Sequence, residues 1–278
     1  MPALEIGPFS LPAGYVLLMI AFVVALVVGA VTARRQGMPV AGKTADLLVI
    51  AVLSARVGFV ALYFEHYQGD VLGMLDIRDG GFHVPSGLLG CVVVGLYWLW
   101  RHPALRRPLG FALAAGLITW AGARTALTML ESEAMGIPDV ALAQPDGTPV
   151  TLSSVGDGEP RVVNLWATWC PPCVREMPLL DEAEERHDGV TFVFVNQGEH
   201  ADVVDGFLAE HALSLDHVLL DARGELGRAT GSRALPTTLF YDASGRLVDA
   251  HRGELSRATL ARGLESFDPE HVAGDAPP

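Results

Sequence analysis

The stretch Val163-Asn-Leu-Trp-Ala-Thr-Trp-Cys-Pro-Pro-Cys-Val-Arg-Glu-Met-Pro178 decides how the C-terminal half of the chain folds. Residues 161–167 are mostly apolar, which is typical of a buried strand. An amphipathic helix is predicted after them, with apolar positions at Val174, Met177, Leu179, Leu180 and Ala183. Cys170 is therefore expected at the junction between a strand and a helix.

A cysteine in this position is suited to thiol chemistry. The unpaired N–H groups and the dipole at a helix N-terminus favour a thiolate, and Pro171 fits the first helical position. We expect Cys170 to be the exposed nucleophile that forms a mixed disulfide with a partner. Cys173, one turn later and more buried, would resolve it.

The C-x-x-C spacing also occurs in haem, zinc and copper sites. Haem attachment requires a histidine directly after the second cysteine, where this chain has Val174, and structural zinc requires a second ligand pair. The C-terminal half contains no other cysteine. We therefore predict a redox pair with no metal and no cofactor beyond its own disulfide. A copper chaperone using both cysteines and Met177 is the alternative.

The composition of the 278 residues changes near residue 130. Residues 1–130 hold nine of the 19 basic and six of the 32 acidic side chains. The remainder is strongly acidic, which argues against nucleic acid as a partner. We predict a membrane domain at 1–130, a linker at 131–138, a second domain at 139–267 and a disordered tail at 268–278. The mean hydropathy of +0.34 is high for a soluble protein.

About four transmembrane helices are predicted in the first domain, since each needs roughly 17–25 mostly apolar residues. The candidate segments are Tyr15–Thr32, Asp46–Tyr63, Val84–Trp100 and Leu109–Leu130. The loops after the first and third segments carry Arg34, Arg35, Lys43, Arg101, Arg106 and Arg107. By the positive-inside rule these loops are cytoplasmic. The second domain is then extracytoplasmic, where disulfide chemistry is permitted.

The quoted stretch, together with Ala234-Leu-Pro-Thr-Thr-Leu-Phe-Tyr-Asp242, resembles the TlpA/ResA-like branch of the thioredoxin superfamily. The resemblance covers roughly residues 138–266 and implies an α/β thioredoxin fold joined to the α-helical membrane domain. It also implies that Pro236 is a cis-proline facing the cysteines, with Leu235 contacting the partner; a plain strand-start proline is the alternative.

The same resemblance suggests further supporting residues. Trp169 is expected to shape the partner surface. Glu199 is the candidate acid that helps to protonate and deprotonate Cys173. Alternatively, Glu199 is a solvated carboxylate in a loop. Asn164 stands where many thioredoxins carry a buried acid.

Two segments of the first domain, Ser54-Ala-Arg-Val-Gly-Phe-Val60 and Asp79-Gly-Gly-Phe-His-Val-Pro-Ser-Gly-Leu-Leu-Gly90, resemble prolipoprotein diacylglyceryl transferases. The pattern departs from that family at Pro85, where an essential histidine is expected; His83 lies two residues earlier. Arg56, His83 and Arg124 are the candidate functional residues of this domain. Alternatively, the arginines reach the head groups or pair with Asp46 or Asp76, and His83 is structural.

These observations predict an inner-membrane, multi-pass thiol-disulfide oxidoreductase whose redox domain lies in the periplasm or extracytoplasmic space. Its expected partners are protein thiols and disulfides, the lipid bilayer, and a membrane electron donor or acceptor, since Cys91 alone cannot relay electrons. Reduction or exchange of partner disulfides is the leading direction. A disulfide-forming oxidase, a copper chaperone and a lipoprotein-modifying acyl-type transferase are the competing functions.

Overall fold

A computed structural model describes residues 3–6, 9–33, 40–68, 70–130, 136–156, 158–232 and 234–267. A short antiparallel hairpin, β1 (Ala3–Ile6) with β2 (Phe9–Pro12), precedes the first helix. The N-terminal helices are α1 (Ala13–Ala33), α2 (Val40–Leu62), α3 (Val71–Leu75), α4 (Val84–Arg101) and α5 (Arg106–Leu130). The helix α1 packs against α5, and α2 packs against α4.

The four long helices overlap the four predicted spans. In the part of the chain that the structure describes, Gly42–Leu62 and Val84–Arg101 are long and apolar enough to cross a membrane, and Val16–Thr32 is a shorter apolar helix. Four spans therefore stay a prediction. Arg34, Arg35 and the tail 268–278 lie outside the described residues.

The α2–α4 pair approaches closely at Gly87. A Cβ atom at this position would lie 2.9 Å from the Ala51 carbonyl oxygen and 3.1 Å from the Ala55 Cβ. Only glycine fits there without moving the facing backbone. Gly87 belongs to the segment that resembles the transferase family, so part of that resemblance reflects helix packing.

The C-terminal half is built on one mixed sheet. Its strands are β3 (Leu142–Ala143), β4 (Pro149–Val150), β5 (Arg161–Trp166), β6 (Thr191–Gln197), β7 (Val218–Asp221), β8 (Thr237–Tyr241) and β9 (Leu247–Arg252). Their spatial order is β4-β3-β7-β6-β5-β8-β9. The central strands β5, β6 and β7 are parallel, whereas β8 runs antiparallel to β5. The helices are α6 (Pro171–Arg186), α7 (Ala201–Glu210), α8 (Glu225–Ala229) and α9 (Arg257–Glu265).

Both faces of the central strands are buried, as expected for parallel strands. Alternate residues point to opposite faces, so Val162 and Trp166 of β5 pack in the cluster that contains the two cysteines. Val163 and Leu165 pack in the cluster on the other face. Asn164 shares the parity of Val162 and thus lies on the cysteine side of the sheet.

The predicted strand before Cys170 and the predicted helix after it are both present as β5 and α6. The helix α7 ends at Glu210, because Ala212 adopts a positive φ of 51° and the Leu213 N–H donates to the Leu208 carbonyl. Gly136 and Ile137, within the predicted linker, already pair with Arg246 and Gly245 of the β8–β9 hairpin. The ordered domain thus begins before residue 139, and residues 131–135 lie outside the described chain.

Candidate functional site

The cysteine pair lies where β5 leads into α6, as the sequence predicts. Cys170 is the N-cap of α6, and its Sγ accepts a hydrogen bond from the Cys173 backbone N–H at 3.3 Å. The two residues form a disulfide. When the disulfide is reduced, the same N–H and the positive end of the helix stabilise a thiolate on Cys170.

Cys170 is less accessible than the sequence predicts. It is 4% exposed and Cys173 is 0% exposed, so the predicted order holds, but neither residue is open to solvent. The reason is that both belong to the apolar cluster between the sheet and its helices. Trp169, by contrast, is 67% exposed. The exposed indole therefore lies directly beside a disulfide that is largely covered.

The Leu235–Pro236 peptide bond is cis, as the sequence resemblance implies. Pro236 is buried, and Leu235 is half-buried against the cluster that holds both cysteines. The Pro236 carbonyl accepts the Gly253 N–H at 2.9 Å, which ties this loop to the segment before α9.

Glu199 supports the loop before the cysteines and does not contact either sulfur directly. Its carboxylate accepts the Thr168 backbone N–H at 2.7 Å and the Thr168 hydroxyl at 2.6 Å. It also accepts the Asn196 side-chain amide at 2.8 Å. These bonds fix the backbone two residues before Cys170. The titration of Cys173 by Glu199 stays a prediction.

Glu176 is the buried acid of the site, and the sequence analysis missed it. Its side chain is 1% exposed and accepts hydrogen bonds from Asn164 Nδ2 at 2.8 Å and the Leu255 N–H at 2.7 Å. Burial raises the pKa of Glu176 to about 8. Since Glu176 follows Cys173 by three residues, the two lie on the same face of α6.

A signal for Glu176 exists in the sequence. It falls on the stripe made by Cys173, Leu180 and Ala183, all of which are buried on α6. A carboxyl group at a buried position of a cysteine-bearing helix is a candidate for a shifted pKa. Asn164, predicted to replace a buried acid, is instead the hydrogen-bond donor to one.

Comparisons with known proteins agree with this geometry. The redoxin family model matches residues 132–264. The thiol-disulfide oxidoreductase ResA of Halalkalibacterium halodurans is 32% identical over 127 residues, which cover 45% of this chain and 71% of that protein. The thiol:disulfide interchange protein DsbE homolog of Paracoccus denitrificans is 36% identical over 150 residues, covering 53% and 82%. This chain belongs to the ResA/DsbE-type thiol-disulfide oxidoreductases.

The N-terminal part of this oxidoreductase is similar to a second protein family. The prolipoprotein diacylglyceryl transferase model matches residues 2–172, which confirms the predicted fusion of two families. Among solved structures, MTB DsbF in its mixed oxidized and reduced forms is 27% identical with a TM-score of 0.43. That match covers 47% of this chain and 96% of that one.

The three membrane-domain candidates of the oxidoreductase have different surroundings. Arg56 is buried and pairs with Asp79 at 2.9 Å, rather than with the carboxylate of Asp46 or Asp76. The Asp46 carboxylate pairs with Lys43, and that of Asp76 pairs with Arg78. The alternative in which Arg56 pairs with one of these two carboxylates is therefore not the arrangement that the structure shows, and a functional role for Arg56 stays a prediction.

The surroundings of His83 and Arg124 differ from those of Arg56. His83 is the N-cap residue of α4; its backbone N–H donates to the Ala55 carbonyl at 3.0 Å, and its Nδ1 lies 2.7 Å from the Ser86 hydroxyl. The backbone contact places His83 next to Arg56 in the fold. Arg124 is exposed on α5. The structure thus brings Arg56 and His83 to one end of the α2–α4 pair.

Proposed function

We propose that this oxidoreductase is anchored in a bacterial inner membrane by several helices and reduces or exchanges disulfides of extracytoplasmic proteins. The observation that carries the proposal is the Cys170–Cys173 disulfide at the N-terminus of α6, beside the exposed Trp169. The basic loops of the first domain support this orientation.

The reaction needs no group beyond the two thiols. The Cys170 thiolate attacks a partner disulfide, forms a mixed disulfide and releases one partner thiolate. The Cys173 thiolate then attacks Cys170 Sγ and releases the second. The partner gains two electrons and the chain ends as the Cys170–Cys173 disulfide. A dithiol donor in the membrane must then reduce it, because Cys91 is a single thiol.

The position of the redox pair is tested by labelling in spheroplasts. We expect a membrane-impermeant maleimide to label the chain after mild reduction of intact spheroplasts, because the second domain is placed outside. The Cys170→Ser/Cys173→Ser double variant is the control and should stay unlabelled, leaving only Cys91. Labelling that requires lysis of the spheroplasts would place the domain in the cytoplasm and refute the proposed location.

A further inference from the structure

Arg56 lies near the end of α2, and all three of its guanidinium nitrogens are hydrogen-bonded. The Nε atom donates to the Met74 carbonyl at 3.0 Å. The Nη1 atom donates to Asp79 Oδ1 at 2.9 Å and to the Gly81 carbonyl at 2.8 Å. The Nη2 atom donates to the Gly73 carbonyl at 2.9 Å and to the Asp76 carbonyl at 2.6 Å. A buried charge is costly unless it is paired and hydrogen-bonded. The arginine therefore holds residues 73–81 in one conformation.

Asp79 connects these residues of the helical domain to the thioredoxin domain. Its Oδ1 pairs with Arg56, while its Oδ2 accepts the Tyr67 hydroxyl at 3.0 Å and the Ser256 hydroxyl at 3.1 Å. Ser256 is the N-cap of α9. A carboxylate at a helix N-terminus is favoured by the helix dipole. Asp79 is thus bound from both domains and is 6% exposed.

Apolar contacts surround this polar link. Phe59, Tyr67 and Ala258 form one buried cluster, with Ala258 0% exposed. The Arg262 guanidinium lies 5.9 Å from the centre of the Phe59 ring. Tyr63 donates its hydroxyl to Glu265 Oε2 at 2.6 Å. We call Phe59, Tyr67, Asp79, Ser256 and Ala258 the docking joint.

The residues before the joint contact the redox helix. Glu254 binds Arg175 of α6 at 2.5–3.0 Å, and the Leu255 N–H donates to Glu176. A Cβ atom at Gly253 would lie 3.8 Å from the Arg78 carbonyl oxygen, so the membrane-domain loop lies beside this segment. Residues 254–256 thus link the joint to the helix that begins at the redox cysteines.

We propose that the N-terminal domain is a docking domain for this chain's own thioredoxin domain. Arg56 orders residues 73–81, Asp79 binds the N-terminus of α9, and the redox helix is held in one orientation relative to the helical domain. A partner protein then meets the disulfide beside the loop that carries Arg78. This role uses the residues retained from the transferase-like motif without requiring a transferase reaction.

Hydrogen exchange of the oxidised full chain in nanodiscs tests the docking. Ala258→Arg places a long side chain in a joint that has no space for it. Amides in 73–82 and in α9 should both exchange roughly tenfold faster, the effect of about 1.4 kcal/mol. Ala209→Arg, at an exposed position of α7, adds the same side chain and should change neither segment.

A milder variant keeps the test valid if Ala258→Arg misfolds. Ser256→Gly removes the hydroxyl bond to Asp79, while glycine is well tolerated at the N-cap position of a helix. Exchange in 73–82 should then rise about fivefold, as expected for one lost hydrogen bond. If exchange rises in α9 alone, or if 73–82 stays as protected as in the parent chain, the domains are not docked and the proposal is wrong.

Discussion

Replacing Cys170 with serine is expected to reduce disulfide exchange by the full chain to the uncatalysed background rate. A serine hydroxyl is not ionised at neutral pH, so the attacking thiolate is lost. Cys173→Ser keeps the first step but cannot resolve its product, so a mixed disulfide with the partner should accumulate. Both effects are measured with a disulfide-bonded protein substrate, by its rate of reduction and by the mass of the covalent adduct.

Cys91→Ser is the matched control for these variants. Cys91 lies in α4, where its thiol donates to the Leu47 carbonyl at 3.3 Å, and the proposed reaction does not use it. Its substitution should leave the exchange rate unchanged. Activity that survives Cys170→Ser, or that disappears with Cys91→Ser, would assign the nucleophile to a different residue.

The second large effect is a loss of stability with rising pH that originates at Glu176. Burial raises its pKa from 4.5 to about 8, so between these pH values the folded chain holds a proton that the unfolded chain has released. The free energy of unfolding therefore falls as pH rises through this window. The difference between the two pKa values corresponds to up to about 5 kcal/mol.

Glu176→Gln should remove this pH dependence, because an amide does not titrate. The measurement is unfolding of the oxidised full chain by denaturant from pH 5 to pH 9, in which the disulfide prevents titration of Cys170 and Cys173. The parent should lose stability relative to the variant as the pH rises through this window. Glu185→Gln, at an exposed position of the same helix, should follow the parent curve. Parallel curves for the parent and Glu176→Gln would contradict a raised pKa.

The sequence predicts the redox half well because its signals are local. The apolar run before Cys170 and the helical spacing after it both follow from short-range rules. Pro236 is confirmed as a cis-proline, although the motif resemblance, not the spacing, implied it.

Long-range pairing is what the sequence analysis could not determine. Asp46 and Asp76 are the acids that the sequence offers as alternative partners for the arginines, but the ionic partner of Arg56 is Asp79, and only the fold of the intervening loop brings the two together. The burial of Glu176 is not predicted from the sequence, because it depends on contacts with Asn164 and Leu255, which are distant along the chain. The near-complete burial of Cys170 depends on packing against elements distant in sequence.

The docking joint changes how the two families in this chain relate to each other. A flexible linker alone would allow the thioredoxin domain to rotate relative to the helical domain. Contacts through Asp79, Ser256 and Ala258 instead join the two domains. The transferase-like segments then persist because they build the α2–α4 pair and the loop on which the redox domain rests. The transferase-like sequence can therefore be kept without the transferase reaction.

The reduction potential of the Cys170–Cys173 pair in the full chain tests the central claim most directly. The detergent-solubilised protein is equilibrated with a graded series of dithiothreitol or glutathione, and its free thiols are counted by alkylation and mass. We predict one reversible two-electron transition near the potential of thioredoxin, roughly −270 mV. A value near −120 mV, typical of a strong oxidant, would reverse the proposed direction. The absence of any reversible transition would contradict the claim that this pair is the redox centre.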